Sequence, residues 1–130
     1  PLYPFGYGLS YTTFKIDGMT LDKKELKRGE TLIISANVTN TGAYDGEEVV
    51  QLYIRDVAAS VTRPVKELKG FTKIFLKKGE TKQVTFTLGE KDLEILDLEM
   101  NKKAEVGDFK VWVASSSADE SNEGSFELKD

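Results

Sequence analysis

The chain has 130 residues, 31% charged and 39% hydrophobic, with a net charge of −4 and neither Cys nor His. That length supports one compact domain with its own core, and the missing residue types exclude disulfides, thiolate metal sites, Ser-His-Asp and Cys-His catalysis and nearly every zinc site. No apolar run is long enough to span a membrane as a helix, no signal peptide is visible, and the interspersed charge argues against a nucleic-acid partner.

The first fourteen residues interleave Tyr3, Phe5, Tyr7, Tyr11 and Phe14 with Pro4, Gly6 and Gly8. Pro holds the backbone extended and Gly permits close backbone approach, so residues 1–13 are expected to form an arm that lies along another protein surface. The five aromatics with Leu2 and Leu9 carry on the order of ten kcal/mol of gross apolar burial before ordering costs. The start at Pro1, with no initiator Met, suggests a piece excised from something longer.

Period-two alternation follows, the pattern of half-buried strands. Strands are expected at Phe14–Leu21, then Thr31–Asn40 with Leu32, Ile34, Ala36 and Val38 inward, then Glu48–Asp56 with Val50, Leu52 and Ile54 inward. Leu68–Leu76, Thr81–Leu88 (Val84, Phe86 and Leu88 inward), Glu94–Leu98, a strand around Phe109–Val113 and Ser125–Leu128 complete the set, with one helical turn at Lys91–Leu93. Lys27-Arg-Gly-Glu-Thr31 and Lys77-Lys-Gly-Glu-Thr81 are near-copies, each launching an alternating strand. Gly supplies the positive φ these turns require. Glu105-Val-Gly-Asp108 is similar, and Asn40-Thr-Gly42 ends its strand in the same way. The expected fold is all-β: an antiparallel two-sheet sandwich of about seven strands over residues 14–130, of fibronectin type III-like rather than antibody kind because the Cys…Trp…Cys framework is missing.

Candidate chemistry is sparse. Lys66, Lys69, Lys73, Lys77 and Lys78 read as the solvated protection of an edge strand. Glu47 with Glu48, and Asp92, Glu94, Asp97 and Glu99, place carboxylates close together, but nothing around them suggests the pocket that a glycosidase carboxylate pair needs. No Asp-x-Asp-x-Asp-Gly calcium loop is present, and the Asn37-Val-Thr39 sequon falls inside a strand and reads as chance. If Phe109, Val111 and Val113 face the core, Trp112 faces out; if Val50, Leu52 and Ile54 face in, Tyr53 faces out. In the expected topology the two aromatics are neighbours on an outer face. They read either as a sugar-stacking platform or, by preference, as a surface covered by another domain or by the aromatic arm.

The unbroken run Pro4-Phe-Gly-Tyr-Gly-Leu-Ser-Tyr-Thr12, with Thr62-Arg-Pro-Val-Lys-Glu-Leu68, resembles the C-terminal fibronectin type III-like domain of family 3 glycoside hydrolases, the β-glucosidase and β-xylosidase family. Val38–Gly42 followed by Gly46–Tyr53, Gly79–Phe86, Gly107–Phe109 and Val113–Ser116 extend the likeness over essentially the whole chain. The resemblance implies a non-catalytic accessory domain that braces catalytic domains of the same bacterial parent chain and contributes to homo-oligomer contacts. It implies no catalytic or metal residue in this segment. The parent would hydrolyse β-glucosides or β-xylosides by the retaining double displacement without a cofactor, in the cytoplasm or after export. Arg63, beside Pro64, would then act as an interdomain clamp with Tyr3, Phe5, Tyr7 and Tyr11, since Arg favours such interfaces. A carbohydrate-binding module using Tyr53 and Trp112, and a spacer or adhesion module of a surface protein, are the alternatives that the fold class allows.

Overall fold

A computed structural model describes residues 12–57, 66–96, 102–103, 106–116 and 120–130. These form β1 (Phe14–Leu21), β2 (Glu25–Lys27), β3 (Leu32–Asn40), β4 (Gly46–Asp56), β5 (Lys66–Leu76), β6 (Thr81–Leu88), β7 (Ile95–Leu96), β8 (Lys102–Lys103), β9 (Gly107–Ala114) and β10 (Glu123–Lys129), with a 3-10 turn at Glu90–Leu93. A three-stranded sheet ordered β1-β3-β6 faces a five-stranded sheet ordered β2-β10-β9-β4-β5, and β7 and β8 make a short hairpin.

Alternation builds the core between the two sheets. Leu32, Ile34, Ala36 and Val38 of β3 and Val84, Phe86 and Leu88 of β6 meet Val50, Leu52 and Ile54 of β4 and Phe109, Val111 and Val113 of β9. Phe109 and Phe126 stack at 5.3 Å between ring centroids, adding an aromatic pair to the area burial. The twin turns are chemical copies as well as sequence copies. Gly29 and Gly79 take φ of 87° and 79°. In each turn the Glu amide donates to the Lys carbonyl three residues back, and the Glu carboxylate accepts from that Lys amide.

Three departures from the sequence expectation have physical causes. The sandwich is not wholly antiparallel: β2 pairs parallel with β10, Leu26 opposite Leu128. The chain crosses from β1 to the far edge of the other sheet there, and a three-residue strand is too short to show a period, although Leu26 is fully buried. β8 is missed for the same reason, with two residues. The third departure is a bulge in β5. Leu52 pairs with Gly70 but Tyr53 with Leu68, so Lys69 is the extra residue. Without it, Leu68 would share the inward face of Gly70, Thr72, Ile74 and Leu76. The slip of one residue moves it to the outer face beside Tyr53.

Candidate functional site: an outer aromatic face and the root of the N-terminal arm

The outer face of the five-stranded sheet is set by the residues that alternate against the core. On β4 these are Glu47, Val49, Gln51, Tyr53 and Arg55, opposite Phe75, Lys73, Phe71, Leu68 and Lys66 of β5. On β9 they are Ala114, Trp112 and Lys110, with Trp112 opposite Tyr53. The two aromatics expected to be neighbours are direct cross-strand partners.

Both stand on the outer face as expected, Tyr53 half-buried and Trp112 covered. Trp112 is 1% exposed. It lies outside the core cluster, so the inter-sheet core does not bury it. Lys66 Nζ sits 4.4 Å from the Trp112 ring centroid and 5.9 Å from that of Tyr53, a cation over both rings. Glu120 holds the same Nζ at 2.5 Å. That hydrogen bond, reinforced by the charge of Lys66, lowers the Glu120 carboxyl below the ordinary carboxylate value. The indole Nε1–H donates to Glu123 Oε1 at 3.0 Å, and the Tyr53 hydroxyl donates to Gln51 Oε1. A ring capped by an ammonium and tied at its only donor does not present the open face that sugar stacking requires.

The open apolar surface lies one strand further out. Leu68, Phe71 and Phe75 are 51%, 68% and 46% exposed, all on the outer face of edge strand β5. The lysines around them have partners: Lys73 Nζ lies 3.6 Å from Glu47, and Lys69 Nζ lies 2.9 Å from Glu67. The sequence signal for this patch was present in Phe71-Thr-Lys-Ile-Phe-Leu76, where apolar residues fall on both faces, but a lysine-rich edge masked it.

The second feature is the root of the arm. Asn40, at the end of β3, is 1% exposed and uses both ends of its amide. Its Oδ1 accepts from Thr12 Oγ1 at 2.8 Å and from the Gly42 amide at 3.0 Å. Its Nδ2 donates to the Tyr44 carbonyl at 2.7 Å and the Leu76 carbonyl at 3.0 Å. The Thr41 amide donates to the Thr13 carbonyl at 2.9 Å. Gly42 is required by close approach: a Cβ there would lie 1.9 Å from Thr12 Oγ1 and 2.6 Å from the Thr13 amide nitrogen. One buried amide therefore joins Thr12, the β3–β4 loop and the end of β5. Asn40-Thr-Gly42 was legible as a strand end but not as this junction.

The remaining candidates separate. Tyr3, Phe5, Tyr7, Tyr11 and Arg63 lie outside the described residues, as do Asp97 and Glu99. Glu48 is half-buried, which raises its carboxyl, and its Oε1 accepts from the Val49 amide. Asp92 accepts from the Gly89 amide at 2.7 Å and so caps the 3-10 turn. Among the described residues no group of three His, Cys, Asp or Glu side chains could hold a metal ion.

The fibronectin type III-like domain family matches residues 48–117, more than half of the sequence. The chain belongs to that family. This fibronectin type III-like domain is 48% identical over 128 residues to a periplasmic beta-glucosidase of Salmonella typhimurium, covering 98% of this chain but 17% of that protein. It is 52% identical over 121 residues to a beta-xylosidase of Formosa agariphila, covering 92% of this chain and again 17% of the relative. Among solved structures, a beta-glucosidase from Listeria innocua in complex with gluconolactone superposes with a TM-score of 0.85 at 41% identity. The superposition covers all of this chain and 18% of that one. The domain thus spans about a sixth of the relatives it matches.

Proposed function

We propose that this domain is the non-catalytic accessory sandwich of a longer glycoside hydrolase of the β-glucosidase and β-xylosidase family, packed against catalytic domains of the same polypeptide. The observation that carries this reading is the asymmetry of coverage. Nearly all of the chain aligns at high identity with a beta-glucosidase and a beta-xylosidase, yet it accounts for 17% of each. The parent is read as hydrolysing β-glucosides or β-xylosides with retention, using two carboxyl groups outside this segment. Residues 1–13 are read as the arm between the catalytic part and the sandwich, with Tyr3, Phe5, Tyr7, Tyr11 and Arg63 on the contact between them. The Asn40 junction suits this role, because it fixes the direction in which the chain enters the sandwich at Thr12.

The experiment is to express the complete open reading frame and the 130-residue chain in parallel and assay both on nitrophenyl β-glucoside and β-xyloside. Activity in the full polypeptide and none in the domain is expected. A full polypeptide inactive on every glycoside, with no catalytic domains upstream, would overturn the reading.

A further inference from the structure

We infer that the catalytic body docks on the outer face of β4 and β5, with Leu68, Phe71 and Phe75 as its apolar anchors and the capped Trp112–Tyr53 pair as the rigid floor beside them. This rests on the accessory-domain reading above and names the surface that the reading leaves open.

Three observations converge on this occupant. First, the apolar residues are one-sided, with Lys73 standing between Phe71 and Phe75 on the same face. Three large apolar side chains stand on the outer face of one edge strand, and a bulge places the first of them there. Chains in water do not usually leave such a cluster bare. Fully burying each such side chain contributes roughly 1.5–3 kcal/mol, enough in sum to hold one domain against another after ordering costs. Second, the charges beside the patch are already answered within the domain: Lys73 by Glu47, Lys69 by Glu67, Lys66 by Glu120. A face neutralised in this way suits an apolar protein surface, whereas a phosphate backbone or anionic lipid would select unpaired cations. Third, the covalent connection arrives at the same strand. Thr12, the first described residue after the arm, is tied through the Asn40 amide to the Leu76 carbonyl, immediately after Phe75 in sequence. A body joined through residues 1–11 is delivered to the end of β5, and more than four-fifths of each relative lies outside the matched segment.

The 130 residues hold no cysteine, so an introduced thiol is the one labelled site in this segment. Phe71→Cys and, on the polar outer face of the other sheet, Gln83→Cys are made in the 130-residue chain and in the full-length polypeptide. Labelling by N-ethylmaleimide is followed by peptide mass mapping, with Phe75→Cys as a second site should Phe71→Cys fail to fold. The two sites are expected to label at similar rates in the isolated chain. In the full-length polypeptide the β5 site should slow by about ten-fold or more while Gln83→Cys is unchanged, because a docked site reacts only through its open fraction. Equal labelling of both sites in a full-length polypeptide that hydrolyses aryl glycosides would overturn the docking face and leave the accessory reading standing. A full-length polypeptide without catalytic domains would overturn both. Protection already present in the isolated chain overturns the assignment too: if lost on deleting residues 1–11 the occupant is the arm, and if lost on dilution it is a second copy.

Discussion

The two outer faces of the sandwich are built from different chemistry. The outer face of the three-stranded sheet is mostly polar: Ser35 opposite Thr85, Asn37 opposite Gln83 and Thr39 opposite Thr81, with Ile33, opposite Thr87 and 40% exposed, as its apolar member. The Thr39 and Thr81 hydroxyls hydrogen-bond at 2.8 Å and those of Ser35 and Thr85 at 3.3 Å. The outer face of the five-stranded sheet carries Tyr53, Trp112, Leu68, Phe71 and Phe75 at equivalent positions. Small polar cross-strand pairs give a face that water can cover, while aromatics and aliphatics on an outer face call for a partner. Both inner faces feed the same core, so stability alone does not account for this asymmetry, and the proposed docking on another surface would.

Changes on the aromatic face divide into those that break the domain and those that leave it folded. Trp112→Ala is the largest. It opens a cavity under Lys66 and leaves Glu123 without the indole donor, costing about 3–5 kcal/mol in urea unfolding of the isolated chain. Phe71→Ala, on the same face and strand layer, should cost under about 1 kcal/mol there, since its ring is 68% exposed. Equal costs would mean that Phe71 is covered within the domain and would weaken the contrast between floor and anchor.

Next comes the arm junction. Gly42→Val should destabilise the chain by about 2–3 kcal/mol, because the new side chain must displace Thr12 and the Thr13 backbone. Asn40→Ala leaves the Leu76 carbonyl without its buried side-chain donor, at a cost of similar size, about 1–3 kcal/mol. On the polar face, Thr85→Val should fall within about 0.5 kcal/mol of the parent sequence, as ordinary surface substitutions do. A large loss there would show that the hydroxyl face is structural rather than merely wet.

The smallest effect is titration of the cap on Trp112. The folded value of Glu120 is depressed, so its ionised form contributes stability above the ordinary carboxylate value of 4.5, lost as pH falls through the lower folded value. Lys66 is then released from Glu120, and the emission of Trp112, the single tryptophan, should shift below pH 4.5 before far-UV circular dichroism changes. Glu120→Gln should remove that step.

The long strands were legible because each alternates over seven or more residues and buries one face, as β3 and β6 show. β2 was not, since a period needs more than three residues. The pairing of Tyr53 with Trp112 followed from alternation and topology, but the burial of Trp112 did not. The cation over its ring comes from Lys66 held by Glu120, two residues 54 apart in sequence that meet only through tertiary structure. The outward position of Leu68 was not legible, because a one-residue bulge inverts parity and leaves no mark in composition. The Asn40 junction was hidden for a related reason: Asn-Thr-Gly reads as a turn, and its partners Thr12 and Leu76 are distant in the chain.

Hydrogen exchange on the isolated chain and on the full-length polypeptide tests the contact face most directly. Backbone amides of residues 66–76 on the open edge of β5 should gain protection in the full-length polypeptide, while residues 81–88 of β6 exchange alike in both. No gain along β5, or equal gains along β5 and β6, would contradict the assignment of the aromatic face as the docking surface.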